Sequence, residues 1–175
     1  MARLHDLKHV DLDNCYWGIS TSLWFNHCPH RCVGCWNAET WDKNEDLEMS
    51  NESVIEEVLL ALDEFGMEKD LTLLGGDPLS PFNVKDLVEI LQGVKLKRPH
   101  TRVLCWTGYR WEQLVNNKVL GAALPYIDIL IDGKYEQGLH VEGHKFGSSN
   151  QMIIDVKQSL LTGEKVIAPE NYVKV

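Results

Sequence analysis

Three of the chain's five cysteines, Cys28, Cys32 and Cys35, fall within eight residues in the stretch CPHRCVGC. Soft thiolates at this C-x3-C-x2-C spacing on one loop can share a metal centre, and two chemistries fit them. A structural zinc knuckle needs a fourth donor. His27 and His30 are the nearest, but both stand too close in sequence to Cys28 to complete an unstrained tetrahedron easily. No second C-x2-C half occurs elsewhere in the chain. A [4Fe-4S] cluster held by three cysteines would instead leave one iron open to a small molecule, which makes the centre reactive. The spacing alone leaves both readings standing. Of the remaining cysteines, Cys105 lies in the apolar run VLCW and reads as a small core residue, and Cys15 carries no assigned role.

A second chemical feature is GGDP, Gly75 to Pro78, which ends the apolar run LTLLGG. Two glycines allow backbone carbonyls to approach a ligand ammonium group closely, and Asp77 adds a negative charge there. A plain strand-ending turn would use the same residues.

The elements that must position these loops follow from periodicity. Tyr16–Phe25 predicts a first strand running into the cysteine loop. Ser50 predicts a cap for a helix over Asn51–Phe65, with Val54, Val58, Leu62 and Phe65 on one face. Leu71–Gly76 predicts the next strand. Asn83 opens a second helix whose stripe is Val84, Leu87, Leu91 and Val94. RVLCWTG, IDILIDG and QMIIDV predict three more strands, with WEQLVNN as a short helix between the first two of them. Strands alternating with helices imply right-handed β-α-β units and a parallel sheet, either open or bent into part of a barrel. Every suggestive loop, NHCPHRC, GGDP, TGY and DGKY, then follows a strand, where such folds gather their chemistry.

Composition bounds the function. A length of 175 residues without repeats or linkers predicts one domain over 1–175. A formal charge of −9 argues against a chain that holds nucleic acid unaided. No apolar run suits a membrane span, and the first residues are too polar for a signal peptide, so a cytoplasmic protein is expected. In that compartment cysteines serve metals or catalysis more often than disulfides.

The cysteine loop and GGDP resemble the radical S-adenosylmethionine (SAM) enzymes. Within them CVGCWNAETW, LLGGDPLSP, CWTGY, IDILIDGKYEQGL and GSSNQMIIDV, in this order, resemble the anaerobic ribonucleotide reductase activating proteins. The resemblance covers roughly Ser22 to Val156. It implies a small incomplete (β/α) barrel of mostly parallel strands, and a [4Fe-4S] cluster ligated by Cys28, Cys32 and Cys35. It places SAM on the fourth iron, with Gly34, Cys35 and Trp36 toward the adenine and Gly75, Gly76 and Asp77 at the methionine end. Catalysis would rest on cluster and cofactor rather than on a side chain. The protein substrate implied is the large reductase subunit, whose glycine becomes a radical, and the electron donor implied is reduced flavodoxin. Other small radical SAM proteins, a formate-lyase-type activase or a deazapurine synthase, are the nearest alternatives, and GSSNQ argues against them. A zinc-stabilised binding module is the non-enzymatic one.

Thr107 and Asp132 stand at strand ends facing the same mouth, with an N-cap or turn role equally open to each. Ser148, Ser149 and Asn150 match the family pattern without an assigned role. The chain departs from that pattern at Ser20, at His27 where glycine is common, and at Phe146 and Met152. His27 and His30 are expected on the exposed surface of the loop, with a supporting place beside the cluster as the alternative.

Overall fold

The structure is a computed structural model and describes residues 1–143 and 147–169; Phe146 lies outside them. Its strands are β1 (Ala2–Asp11), β2 (Ser20–Phe25), β3 (Glu48–Met49), β4 (Asp70–Gly75), β5 (Val103–Trp106), β6 (Ile129–Asp132) and β7 (Met152–Asp155). Its helices are α1 (Asn51–Asp63), α2 (Val84–Lys97), α3 (Trp111–Val115) and α4 (Val156–Thr162). One seven-stranded sheet runs β3-β1-β2-β4-β5-β6-β7. The pairings β2–β4, β4–β5 and β5–β6 are parallel, while β3–β1, β1–β2 and β6–β7 are antiparallel. The chain is therefore mixed α/β. Parallel order is confined to the four central strands, where β-α-β crossovers force it, and the outer pairings reverse.

The central strands are apolar because both of their faces are covered. Alternation sorts each of them. Leu23, Phe25, Leu71, Leu73, Val103, Cys105, Leu130 and Ile154 join the larger core with Val54, Val58, Leu87 and Leu91 of the helices. The residues between them, Leu104, Ile129, Ile131 and Ile153, turn to the other face and pack with Tyr16 and Ala168. The second face carries no helix of the α1–α2 layer, which leaves its upper part open for a site.

Three sequence expectations are corrected. The strand expected over Tyr16–Phe25 begins only at Ser20, because Tyr16 and Trp17 fold into the second core instead. A whole strand, β1, precedes it. Its charged residues disguised it, since much of its length is exposed and only Ala2, Leu4 and Asp11 are buried. The α1 helix stops at Asp63. Phe65 adopts φ +65 and is 69% exposed, so it lies outside the buried stripe. Ser50 caps this helix as expected, its side chain accepting from Ser53 N. A fourth helix, α4, had no sequence-based expectation; Asp155 caps it through Gln158 N. Among the described residues no helix is long and apolar enough to cross a membrane.

One ion cluster ties β1 to α1 and gives a pH dependence. His9 contacts Glu64 through Nδ1 at 2.7 Å and Glu57 through Nε2 at 2.8 Å. Hydrogen bonds to Glu64 first, then Glu57, raise the His9 pKa above 6.5. A raised folded value means that the stabilisation is full below about pH 6.5 and is lost as pH climbs through the folded pKa. The ring is a third exposed, so the amount is a few tenths of a kcal/mol. Urea unfolding of His9→Ala at about pH 6 and about pH 8 is expected to show a smaller difference between the two than the parent chain shows. An equal difference would exclude this role.

Candidate functional site

The four parallel strands end on one edge of the sheet, and each hands over to a loop that carries expected site residues. These loops border an open cavity of about 730 Å³. Cys28, Cys32, Cys35 and Trp36 come from the loop after β2, and Gly75, Gly76 and Asp77 from the turn after β4. Thr107 and Gly108 follow β5, and Gly133, Lys134 and Tyr135 follow β6. The strand-end loops that the sequence singled out are thus brought together. Gly34 is not on the cavity wall. It turns with φ +73, and a Cβ there would meet the Gln137 side chain at 2.9 Å. Trp36 is 80% exposed at the rim.

The cysteine loop is held mainly by backbone bonds, and of its thiols Cys35 Sγ accepts from Asn37 N at 3.4 Å. His27 N donates to Thr40 O at 2.8 Å, Cys28 N to Trp41 O at 3.2 Å and Cys35 N to Cys32 O at 3.1 Å. Besides Gly34, two residues with side chains adopt left-handed backbone, His27 at φ +74 and Arg31 at φ +47. This gives a physical reason for glycine at the position before the first cysteine in the related pattern, since a Cβ there costs about 1 kcal/mol. His27 offsets part of that by stacking on Phe82 with centroids 3.7 Å apart.

Both histidines depart from expectation. His27 is half-buried, and burial first, then the Arg3 charge, lowers its pKa. The His30 side chain is only 7% exposed and reaches Asp77 across the cavity floor.

The thiols are poised for a metal group that brings its own charge. Burial pushes Cys28 up to about 11 and raises Cys32, whose neighbour Cys35 adds repulsion. Without metal they are protonated, and loading must release those protons. Backbone N–H groups of His30 and Tyr135 point at the sulfurs of Cys28 and Cys32 respectively. Such N–H···S contacts are the donor chemistry that stabilises cluster thiolates. Among the described residues no three His, Cys, Asp or Glu side chains converge tightly enough for one metal ion. A cubane gives each thiolate its own iron, which three thiols lining one cavity can serve.

The glycine pair after β4 is packed as well as exposed to the cavity. Gly75 has φ +92, and a Cβ on it would lie 2.9 Å from Phe25 N and Phe25 O. A Cβ on Gly76 would lie 3.0 Å from Phe25 O and 3.2 Å from His27 O, and Gly76 N donates to Phe25 O at 2.7 Å. Asn83, at the start of α2, makes no side-chain cap. Its amide donates instead to Asn26 O, His27 O and Asp77 O at 2.9 to 3.1 Å, clamping the cysteine loop to the glycine turn.

Asp77 lies at the centre of these loops, 2% exposed. Its Oδ1 accepts from Leu79 N at 2.9 Å and its Oδ2 from Gly108 N at 2.9 Å and His30 Nε2 at 2.5 Å. The Thr107 hydroxyl lies 3.0 Å from both oxygens.

Asp132 is structural. It is buried, and accepts from Trp111 N at 2.8 Å at the start of α3 and from Met152 N at 3.3 Å. The GSSNQ segment braces the loop between β6 and β7. The Ser148 hydroxyl accepts from Glu136 N and donates to Gln151 Oε1, while the Gln151 amide donates to Gly133 O and the Asn150 amide to Lys134 O. This brace supports the loop whose Tyr135 backbone N–H faces Cys32 and whose Gln137 side chain lies against Gly34.

Sequence reasoning missed the Asn83 clamp and Trp106; it named His30 but favoured the loop surface for it, and it singled out the DGKY loop without giving Tyr135 a role. The Trp106 indole N–H borders this cavity, buried and without a hydrogen-bond partner among the described residues. Only Trp106 carried a usable signal, as a large aromatic residue at a strand end.

A family model described as a 4Fe-4S single cluster domain matches residues 17–154. The chain is 36% identical over 138 residues to the anaerobic ribonucleoside-triphosphate reductase-activating protein of Haemophilus influenzae, covering 78% of this chain and 87% of that one. The protein of the same name from Enterobacteria phage T4 is 34% identical over 137 residues, 78% and 83% of the two chains. That from Escherichia coli K12 is 30% identical over 151 residues, 85% and 96%. The matched family model is that of a 4Fe-4S cluster domain, so an iron–sulfur cluster, rather than zinc, is the metal group this chain's family implies.

Proposed function

The chain belongs to the family of anaerobic ribonucleoside-triphosphate reductase-activating proteins, and from that premise we propose that it is a radical SAM activase which generates a glycyl radical on the large subunit of its reductase. Cys28, Cys32 and Cys35 hold the cluster, and its fourth iron is left to SAM. When bound and reduced, this pair of groups supplies a 5′-deoxyadenosyl radical able to abstract hydrogen from an unactivated C–H bond.

The chain's own residues do the rest. Gly75 and Gly76 line the cavity beside the cysteine loop, where their backbone can receive the ammonium group of SAM. Trp36 at the rim serves the adenine side, and the left-handed turn at Gly34 carries the backbone from Cys32 to Cys35 behind it. Trp24, Trp106 and Leu74 form an apolar wall on the helix-free face, which keeps water from the reacting atoms. The cavity stays open on one side, as a substrate that is a backbone Cα–H in a peptide loop demands. The sheet that carries it is read as a partial barrel of radical SAM type. Reduced flavodoxin is the proposed electron donor, because the cluster must reach a low potential.

The observation that carries this reading is the meeting of three thiols and the Gly75–Asp77 turn on one cavity wall. The test is to mix the reconstituted, reduced protein with SAM and the cognate reductase under anaerobic conditions. A glycyl radical detected by electron paramagnetic resonance, with 5′-deoxyadenosine formed alongside, is the expected result. Stoichiometric zinc with no visible chromophore in anaerobically purified protein would overturn it.

A further inference from the structure

The Asp77 carboxylate offers about four lone-pair sites, and four donors already occupy them: Leu79 N–H, Gly108 N–H, the Thr107 hydroxyl and His30 Nε2–H. The side chain is 1% exposed. Neither a free lone pair nor open surface remains for a ligand ammonium group. The shortest of these contacts, 2.5 Å, comes from His30, which lies between the first two cluster cysteines. The His30 ring is fixed on its other sides too. It meets Tyr109 edge-on with centroids 4.6 Å apart, and a Cβ on Gly108 would come within 2.3 Å of it, so glycine is required there.

We propose that His30 and Asp77 form a buried strut that locks the cysteine loop to the glycine turn and the Thr107–Gly108 loop, so that both act as positioning residues and neither touches SAM. The inference rests on the proposed radical SAM reading and names how its two halves are held in register. The cysteine loop would hold the iron and the glycine turn would receive the methionine end of the cofactor. A chelate spanning both binds well only at one separation. The strut joins the two loops directly, side chain to side chain, where Asn83 joins them only through backbone carbonyls. It is expected to set SAM affinity without supplying a SAM contact or an iron ligand.

The test uses the cluster-loaded, reduced protein and titrates SAM against the cluster's paramagnetic signal. Wild type must show a SAM-dependent change; without one the proposed function itself fails. Given that change, His30→Ala is expected to keep the wild-type iron content and to bind SAM about tenfold more weakly or worse. His30→Gln places an amide donor near the position of Nε2 and should recover affinity to within about threefold. Asp77→Ala should also weaken binding, and the double variant should be no weaker than Asp77→Ala alone, because one strut is broken once. Where His30→Ala loses iron, His30→Phe fills the same space without a donor and is compared with His30→Gln. Equal affinity of those two, a His30→Ala variant within about twofold of wild type, or losses that multiply in the double variant would each overturn the strut.

Discussion

Cys32→Ala is expected to reduce 5′-deoxyadenosine formation by about a thousandfold or more while leaving the metal-free chain almost as stable as before. The first half follows from ligand count. With two thiolates left, the cubane has two unprotected irons and no single defined place for a small molecule, so the loss is of the chemistry and not of affinity alone. The second half follows from how the loop is held. Its anchors are His27 N to Thr40 O, Cys28 N to Trp41 O and the Asn83 clamp, none of which uses the Cys32 sulfur. Cys32 is half-buried, and its thiol is protonated without metal because burial and Cys35 raise its pKa. Removing a neutral thiol there should move stability by less than about 1 kcal/mol, read from thermal unfolding of the apo chain. Cys105→Ala should show the reverse profile. Its thiol is fully buried in the core under β5, so deletion costs about 1 kcal/mol or more, yet iron content is unchanged. Undiminished 5′-deoxyadenosine from Cys32→Ala with dithionite as reductant would remove Cys32 from the ligand set.

The sequence showed the parts of the site that are strung along one loop and hid the parts made by loops meeting. Cys28, Cys32 and Cys35 announce themselves by spacing, and Gly75, Gly76 and Asp77 by ending an apolar run. The central strands were legible for the same reason: burial on both faces leaves an unbroken run such as Leu71–Leu74. β1 was not, because its residues mix charge with apolar side chains and pairing with β2, rather than propensity, makes it a strand. His30 illustrates the limit most clearly. A histidine between two ligands reads as loop surface until the turn after β4, far away in sequence, brings Asp77 to it. Asn83 is similar. It stands where a helix cap belongs, but three carbonyls from other loops compete for its amide and win. Asp77 was legible as important, since a lone carboxylate in a turn suggests a ligand, while the donors that surround it are visible only in the fold.

Gly75→Ala is the substitution expected to cost most in stability, and the reason lies in the sheet. Gly75 pairs with Phe25 in the parallel β2–β4 register, at the point where β2 leaves the sheet to become the cysteine loop. An alanine there must hold φ near +92, at a cost of about 1–2 kcal/mol. Its Cβ must also find room 2.9 Å from Phe25 N and O and 3.0 Å from Trp24 C, which are backbone atoms and have no rotamer to change. The strands can part only by weakening the Gly76 N to Phe25 O bond. Together these should cost about 3 kcal/mol or more. Gly163→Ala supplies the comparison. Gly163 also has positive φ, +75, after α4, but nothing lies within 4 Å of its Cβ position, so it should cost only the backbone term, about 1 kcal/mol. The gap between the two variants in chemical unfolding therefore measures the packing contact together with the smaller difference between the two backbone terms. Cys28 follows Phe25 by three residues, so parting the strands moves the first thiol relative to the glycine turn. The Gly75→Ala chain that remains folded is accordingly expected to lose SAM affinity as well. Equal costs for the two variants would mean that β2 yields to a side chain here, and that the glycine pair is kept for the cavity rather than for the sheet.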